Sequence, residues 1–126
     1  MKIFIILVMH GKKLKNLDIN DPYYKWTYDL VENLEKITQY EVITAFNQFN
    51  TPLLNEAIDQ AVEKKAEKII VISTMVNRGS NHAEVDIPEI IKKSQQKYPA
   101  IPIIYAYPFE NMELAKFLGK QIFRFI

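Results

Sequence analysis

Two short runs restrict this chain more than anything else in it. Lys2 to Met9 and Ile69 to Ile72 are apolar at almost every position and rich in β-branched residues. A strand with one wet face alternates polar and apolar. A strand apolar throughout needs cover on both faces, which parallel sheets receive from flanking helices. The intervening segments supply them. Asp21-Pro22 opens a helix with proline at the first helical position, where its missing N–H costs nothing. Tyr23, Trp26, Leu30, Leu34 and Ile37 then recur at spacings of three and four, to about Gln39. Glu41 to Phe46 reads as a second strand. Thr51-Pro52 starts a second helix with the stripe Leu54, Ala57, Ile58, Ala61 and Val62. Ile69 to Ser73 is the third strand. After a polar loop, Asp86-Ile87-Pro88 opens a third helix with Ile87, Ile90 and Ile91 inward. Ile101 to Tyr105 is a fourth strand, which Pro102 places at a sheet edge. Met112 to Phe125 is the last helix. The order β-α-β-α-β-α-β-α predicts an α/β fold: a four-stranded parallel sheet, helices on both faces, right-handed crossovers. With 126 residues and no repeat or linker, residues 1–126 read as one domain.

In such a sheet the functional crevice lies beyond the carboxyl ends of the strands. The chain has two histidines, and both fall there. His10 follows the first strand, in Met9-His10-Gly11. His82 lies in the loop after the third, Ser73 to Pro88. Neutral imidazole binds divalent iron, cobalt, nickel, copper and zinc, so two of them in one crevice can hold an ion with coordination positions left open. Glu84, two residues past His82, could add an oxygen ligand or accept a proton. The bland alternative is that both histidines are packing or surface residues.

Cations flank both histidines: Lys12, Lys13 and Lys15 after His10, and Arg78 before His82. They would repel a lone metal ion and suit a ligand bearing several carboxylates or phosphates. A solvated lysine-rich loop is the plain alternative. Tyr23, Tyr24, Trp26 and Tyr28 form an aromatic cluster of which at least two face the core; the remainder could stack on a flat ligand or meet a second subunit.

The net charge of +1 argues against a nucleic-acid partner. There is no cysteine, which removes disulfides and thiolate metal sites. No GxxxxGK[ST], GxGxxG or nucleophile elbow is present. The run Ile3 to Val8 is too short to span a membrane and runs straight into His-Gly, so the expectation is a cytoplasmic protein without a membrane partner.

These stretches, in this order, resemble the small class II chelatases of the short CbiX type. The first strand runs into His10-Gly11. Ala45-Phe46-Asn47-Gln48-Phe49-Asn50-Thr51-Pro52 is similar to the family's AFxxxxxP segment. Gly79, His82 and Asp86-Ile87-Pro88 match GxxHxxxDIP, the most specific element. Tyr107-Pro108-Phe109 is similar to the proline turn before the last helix. The resemblance implies insertion of a divalent metal (Co²⁺, Ni²⁺ or Fe²⁺) into sirohydrochlorin, a tetrapyrrole with eight carboxylates. It also implies no permanently bound cofactor, and a homodimer. Carried over, His10 and His82 bind the metal and receive pyrrole protons, and Glu84 relays protons or orients His82. Lys12, Lys13 and Arg78, with the loop residues Gly79, Ser80 and Asn81, bind the substrate. The chain departs from relatives in Lys12-Lys13 for Ser-Arg, in Ser73-Thr74 where proline is common, and in Phe109-Glu110 where Leu-Gly is frequent. A non-catalytic carrier of metal or tetrapyrrole is the alternative.

Overall fold

The computed structural model describes residues 1–13 and 20–126; Lys15 of the lysine-rich loop lies outside them. Four strands, β1 (Ile3–Met9), β2 (Glu41–Phe46), β3 (Lys68–Ser73) and β4 (Ile103–Tyr105), form one parallel sheet in the order β2-β1-β3-β4. The helices are α1 (Pro22–Thr38), α2 (Leu54–Glu63), α3 (Ile87–Lys97) and α4 (Asn111–Phe123). The expected alternation and parallel pairing are therefore present, with β4 at an edge.

The two faces of the sheet carry separate cores. Phe4, Ile6, Val8, Ile69, Val71 and Ile103 pack beneath α2 and α3, against Leu54, Ala57, Ile58, Ile87 and Ile91. Ile5, Leu7, Met9 and Val42 pack on the other face, against Tyr23, Leu30, Val31 and Leu34 of α1. β1 is buried on both sides, as its unbroken apolar run requires.

Three element boundaries differ from the sequence reading, each for a local reason. Asp21 does cap α1: its carboxylate accepts from the Tyr23 amide at 2.9 Å. Thr51-Pro52, however, does not start α2. Those residues run beside the end of β2, where the Pro52 carbonyl accepts from Phe46 N at 2.9 Å. The helix begins at Leu54, where the Glu56 carboxylate accepts from Leu53 N at 2.9 Å. Helical structure before α3 starts a turn earlier than Asp86. Residues His82–Asp86 form a π-helical turn, and Ile87 N–H donates to the His82 carbonyl five residues back. Pro88, which has no N–H to donate, follows where this wide turn ends. β4 is shorter than expected because Gln95 holds the preceding turn, its amide donating to the carbonyls of Tyr98 (3.0 Å) and Ile101 (2.7 Å). Among the described residues no helix is long and apolar enough to cross a membrane.

Candidate active site

The carboxyl ends of β1, β2 and β3 meet at one edge of the sheet. There the Met9 and His10 carbonyls accept from Asn47 N (2.8 Å) and Gln48 N (3.2 Å), and Val8 O accepts from Thr74 N (3.1 Å). These bonds carry strand-like pairing past the strands into the loops. They bring His10 and His82 together with ring centroids 5.2 Å apart and planes inclined at 68°. Metal–imidazole bonds are about 2 Å long, so rings this close can share one ion.

Each imidazole is held by its Nδ1. His10 Nδ1 lies 3.1 Å from the Gly11 carbonyl, which can only accept, so the proton is on Nδ1. Its Nε2 then accepts from the Gln48 side-chain amide at 3.2 Å. His82 Nδ1 lies 2.8 Å from Asp86 Oδ2. An ionised carboxylate also only accepts, so this proton too is on Nδ1, and Nε2 keeps its lone pair. Asn47 Nδ2 lies 2.7 Å from the same Nδ1; a half-turn of that amide would present its oxygen to the ring N–H.

Gly11 makes the approach of the two loops possible. It has φ +99°, and a Cβ built on it would lie 1.9 Å from the Gln48 carbonyl oxygen. Its amide donates to Tyr23 Oη at 3.1 Å, and the next amide, Lys12 N, donates to Asn50 Oδ1 at 2.7 Å. Gly11 and Lys12 are thereby fastened to both α1 and the β2–α2 loop.

Several residues expected at the site have other engagements. The Lys12 ammonium is paired with Asp21 at 2.9 Å, and this hydrogen bond holds the aspartate below its ordinary value. Lys13 is exposed and has no ion-pair partner among the described residues. Arg78 Nε donates to Glu84 Oε1 at 2.8 Å, and the Gly79 amide donates to the same oxygen at 3.0 Å. Those bonds, the arginine's first, lower the Glu84 carboxyl, and Glu84 in turn raises the Arg78 guanidinium. Glu84 therefore clamps its own loop, and the carboxylate at His82 is Asp86. Ser80 Oγ accepts from Ala83 N at 3.1 Å, closing the first turn before α3. Gly79, with φ +92°, turns the loop, and Asn81 is exposed beside His82.

The loop also rests on two tyrosines. Tyr105 and Tyr107 stack with centroids 5.0 Å apart, and the Arg78 guanidinium lies 5.7 Å from the Tyr107 ring. Tyr105 Oη donates to the Ala83 carbonyl at 3.0 Å. Burial, with smaller contributions from Tyr107 and Glu84, pushes its phenol up to about 12.

Beside His10 opens a cavity of about 720 Å³ whose walls include Tyr23, Tyr24, Tyr28, Phe46 and Phe49. Phe49 joins it to the histidines, its ring 6.3 Å from that of His10. Three members of the aromatic cluster read from the sequence thus line one hollow. Trp26, 55% exposed, is not among its walls.

Asn47, Gln48 and Asp86 were not singled out for chemistry in the sequence. Asp86 had a signal: it stands four residues after His82, which puts both on one side of a helical turn once that turn begins at His82. Among the described residues no group of three or more histidine, aspartate and glutamate side chains converges on one point. The candidate ligand set is the imidazole pair, which would leave coordination positions to spare.

The family model described as CbiX matches residues 4–122. A sirohydrochlorin cobaltochelatase of Saccharolobus islandicus (strain L.S.2.15 / Lassen #1) is 30% identical over 112 residues, spanning 82% of this chain and 80% of that protein. A sirohydrochlorin cobaltochelatase of Priestia megaterium is 32% identical over 79 residues, 60% of this chain; the match spans only 26% of that longer protein. Among solved structures, the sirohydrochlorin chelatase SirB from Bacillus subtilis subspecies spizizenii, in complex with cobalt, superposes with a TM-score of 0.72 at 25% identity. That superposition covers 86% of this chain and 44% of the other.

Proposed function

The chain belongs to the CbiX family of small class II chelatases, and on that premise we propose that it inserts a divalent metal into sirohydrochlorin. The observation that carries this reading is the imidazole pair at one crevice, each ring held at Nδ1, with His82 Nε2 turned to the crevice and His10 Nε2 met only by the neutral Gln48 amide. The substrate metal binds His10 and His82. Asp86 fixes the His82 ring and balances positive charge arriving at Nε2, as carboxylates behind metal-binding histidines do. Insertion replaces two pyrrole N–H protons by one M²⁺, so two protons leave. Each imidazole accepts one as the metal departs, and no nucleotide is needed because metal–nitrogen bonds drive the exchange.

The macrocycle lies over the strand ends with one edge in the aromatic-walled cavity, where Tyr23, Tyr28 and Phe49 offer flat apolar surface. Its carboxylates are met by Lys13 directly, and by Lys12 and Arg78 in exchange for Asp21 and Glu84. Both ion pairs are at the surface, where such an exchange costs little. Co²⁺, Ni²⁺ and Fe²⁺ all suit imidazole, and supply selects among them. Residues 1–126 act as a single chelatase-like domain in a cytoplasmic homodimer.

The test is anaerobic absorbance spectroscopy with sirohydrochlorin and each metal in turn, read as rate above the spontaneous background. Acceleration that disappears in His10→Ala and His82→Ala supports the mechanism. Wild-type rates in the double variant overturn it. Tight binding of metal and tetrapyrrole without repeated turnover establishes the carrier instead, which the internal pairing of Lys12 and Arg78 would favour.

A further inference from the structure

The helical segment that leads into α3 changes register where His82 sits. At its start the spacing is four: Glu84 N–H donates to the Ser80 carbonyl at 2.9 Å. At its end the spacing is five: Ile87 N–H donates to the His82 carbonyl. The Ala83 carbonyl falls between two backbone donors and receives neither. Ile87 N–H, four residues on, is its ordinary α-helical partner and is given to His82. Residue 88 would continue the five-residue pattern, but it is proline and has no N–H. Ala83 is fully buried, so water does not reach that carbonyl. An acceptor left unpaired there is costly.

Tyr105 supplies the missing donor. Its Oη donates to the Ala83 carbonyl at 3.0 Å. The tyrosine ends β4, in register with Val71 of β3, and its ring stacks on Tyr107. The hydroxyl is therefore placed by the sheet and not by the loop it serves. Burial raises the phenol to about 12, so it stays protonated and able to donate at neutral pH.

We propose that Tyr105 is a positioning residue for His82. By occupying the Ala83 carbonyl, it leaves Ile87 N–H to the His82 carbonyl and holds the wide turn open. Without the hydroxyl, Ile87 N–H is the nearest replacement, and its transfer to Ala83 narrows the turn to α-helical spacing. The residues before Ala83 then rotate relative to α3 by about 100°, one residue's share of an α-helical turn. His82 stands at that end. Its ring leaves the place where its centroid is 5.2 Å from that of His10 and its Nδ1 is 2.8 Å from Asp86. Isolated π-helical turns concentrate at functional sites. Here a proline withholds the donor that the turn would use, and a tyrosine on the neighbouring strand replaces it. The inference rests on the reading of His82 as a metal ligand, and its test uses no tetrapyrrole.

Tyr105→Phe keeps the ring and its stacking and removes only the donor. Scalar couplings across hydrogen bonds, read by NMR, identify the carbonyl that each N–H reaches. In wild type, Ile87 N–H couples to the His82 carbonyl. In Tyr105→Phe the coupling is expected to move to the Ala83 carbonyl, and Co²⁺ affinity by titration calorimetry to fall about tenfold or more. Tyr107→Phe is the control. It keeps the same stack and loses a hydroxyl that donates to the Asn77 carbonyl at 3.3 Å. Its coupling should stay in place and its affinity within about twofold of wild type. An unmoved coupling in Tyr105→Phe overturns the proposal, whatever the affinity does. A moved coupling with wild-type affinity also overturns it, because the turn then aims no ligand. Equal losses in the two variants assign the effect to the stack and overturn it too. If wild type takes up no Co²⁺, this inference and metal insertion fall together. If wild type binds Co²⁺ but does not insert it into sirohydrochlorin, insertion alone falls, and the couplings still decide the role of Tyr105.

Discussion

The two histidines occupy one crevice but are built in opposite ways. His10 is exposed, at the end of a buried strand. A neighbouring backbone carbonyl fixes its proton, and an uncharged amide meets the outward nitrogen. His82 is half-buried on a π-helical turn, and a full negative charge sits behind its ring. Wide turns of this kind recur at functional sites because they re-aim a side chain without ending the helix. The difference assigns unequal duties. The His82 ring is fixed and electrostatically backed, which in the proposed mechanism makes it the anchor for the metal. The His10 ring is held by neutral groups, which in the same mechanism makes it the ligand that gives way as the metal passes to the macrocycle.

The sharpest way to break this asymmetry is to delete each ring. His82→Ala is expected to lower the insertion rate roughly 10²–10³-fold, the range for losing a positioned acid–base group. His10→Ala should cost clearly less, and equal losses would mean that the two rings are interchangeable. Next in size is Gly11→Ala, which forces a Cβ against the Gln48 carbonyl at a left-handed backbone position. It should destabilise the chain by about 3 kcal/mol, measured by denaturant unfolding. It should also displace His10 while leaving His82 and its Asp86 bond in place. Asp86→Asn keeps an acceptor and removes the charge; Co²⁺ affinity by titration calorimetry should fall about 10–100-fold. Gln48→Ala, the matching change at His10, should alter it by less than about threefold. If Gln48 mattered as much as Asp86, the proposed division of duties would be wrong.

The same contrast explains what could be read from the sequence. β1 and β3 were legible because complete burial leaves a continuous apolar record, and α1 because its stripe repeats at helical spacing. His10 was legible because a polar residue directly after a buried strand has only one place to go. The partners of His82 were harder to see. Pro88 suggested a helix beginning at Asp86, whereas the Ser80 hydroxyl closes a turn from His82 onward, and only then do His82 and Asp86 share a side. Asn47 and Gln48 reach the site through loop pairing with Met9 and His10, which no periodicity announces. Glu84 was the natural choice by proximity in sequence, but Arg78 and Gly79 take its carboxylate. The exposure of α4 leaves no trace in its pattern, since an apolar stripe looks the same whether or not a sheet lies beneath it.

The smallest expected effect tests whether Glu84 serves the loop or the chemistry. Its carboxyl is lowered in the folded chain, chiefly by Arg78 and then by the Gly79 amide. The sign follows from that direction. The clamp contributes stability that is fully present above the ordinary glutamate value and is lost as pH falls through the lower folded value. At neutral pH the clamp is fully engaged, and acid should loosen residues 74–81 only below the usual carboxylate range. Glu84→Gln removes the ion pair at every pH. Because the pair is exposed, such a change is worth little to global stability. Amide exchange in residues 74–81 should speed up several-fold at neutral pH, while the insertion rate stays within about threefold of wild type. In wild type the same acceleration should appear only on acidification. A rate falling by 10²-fold or more in Glu84→Gln, with exchange unchanged, would return Glu84 to the proton path beside Asp86.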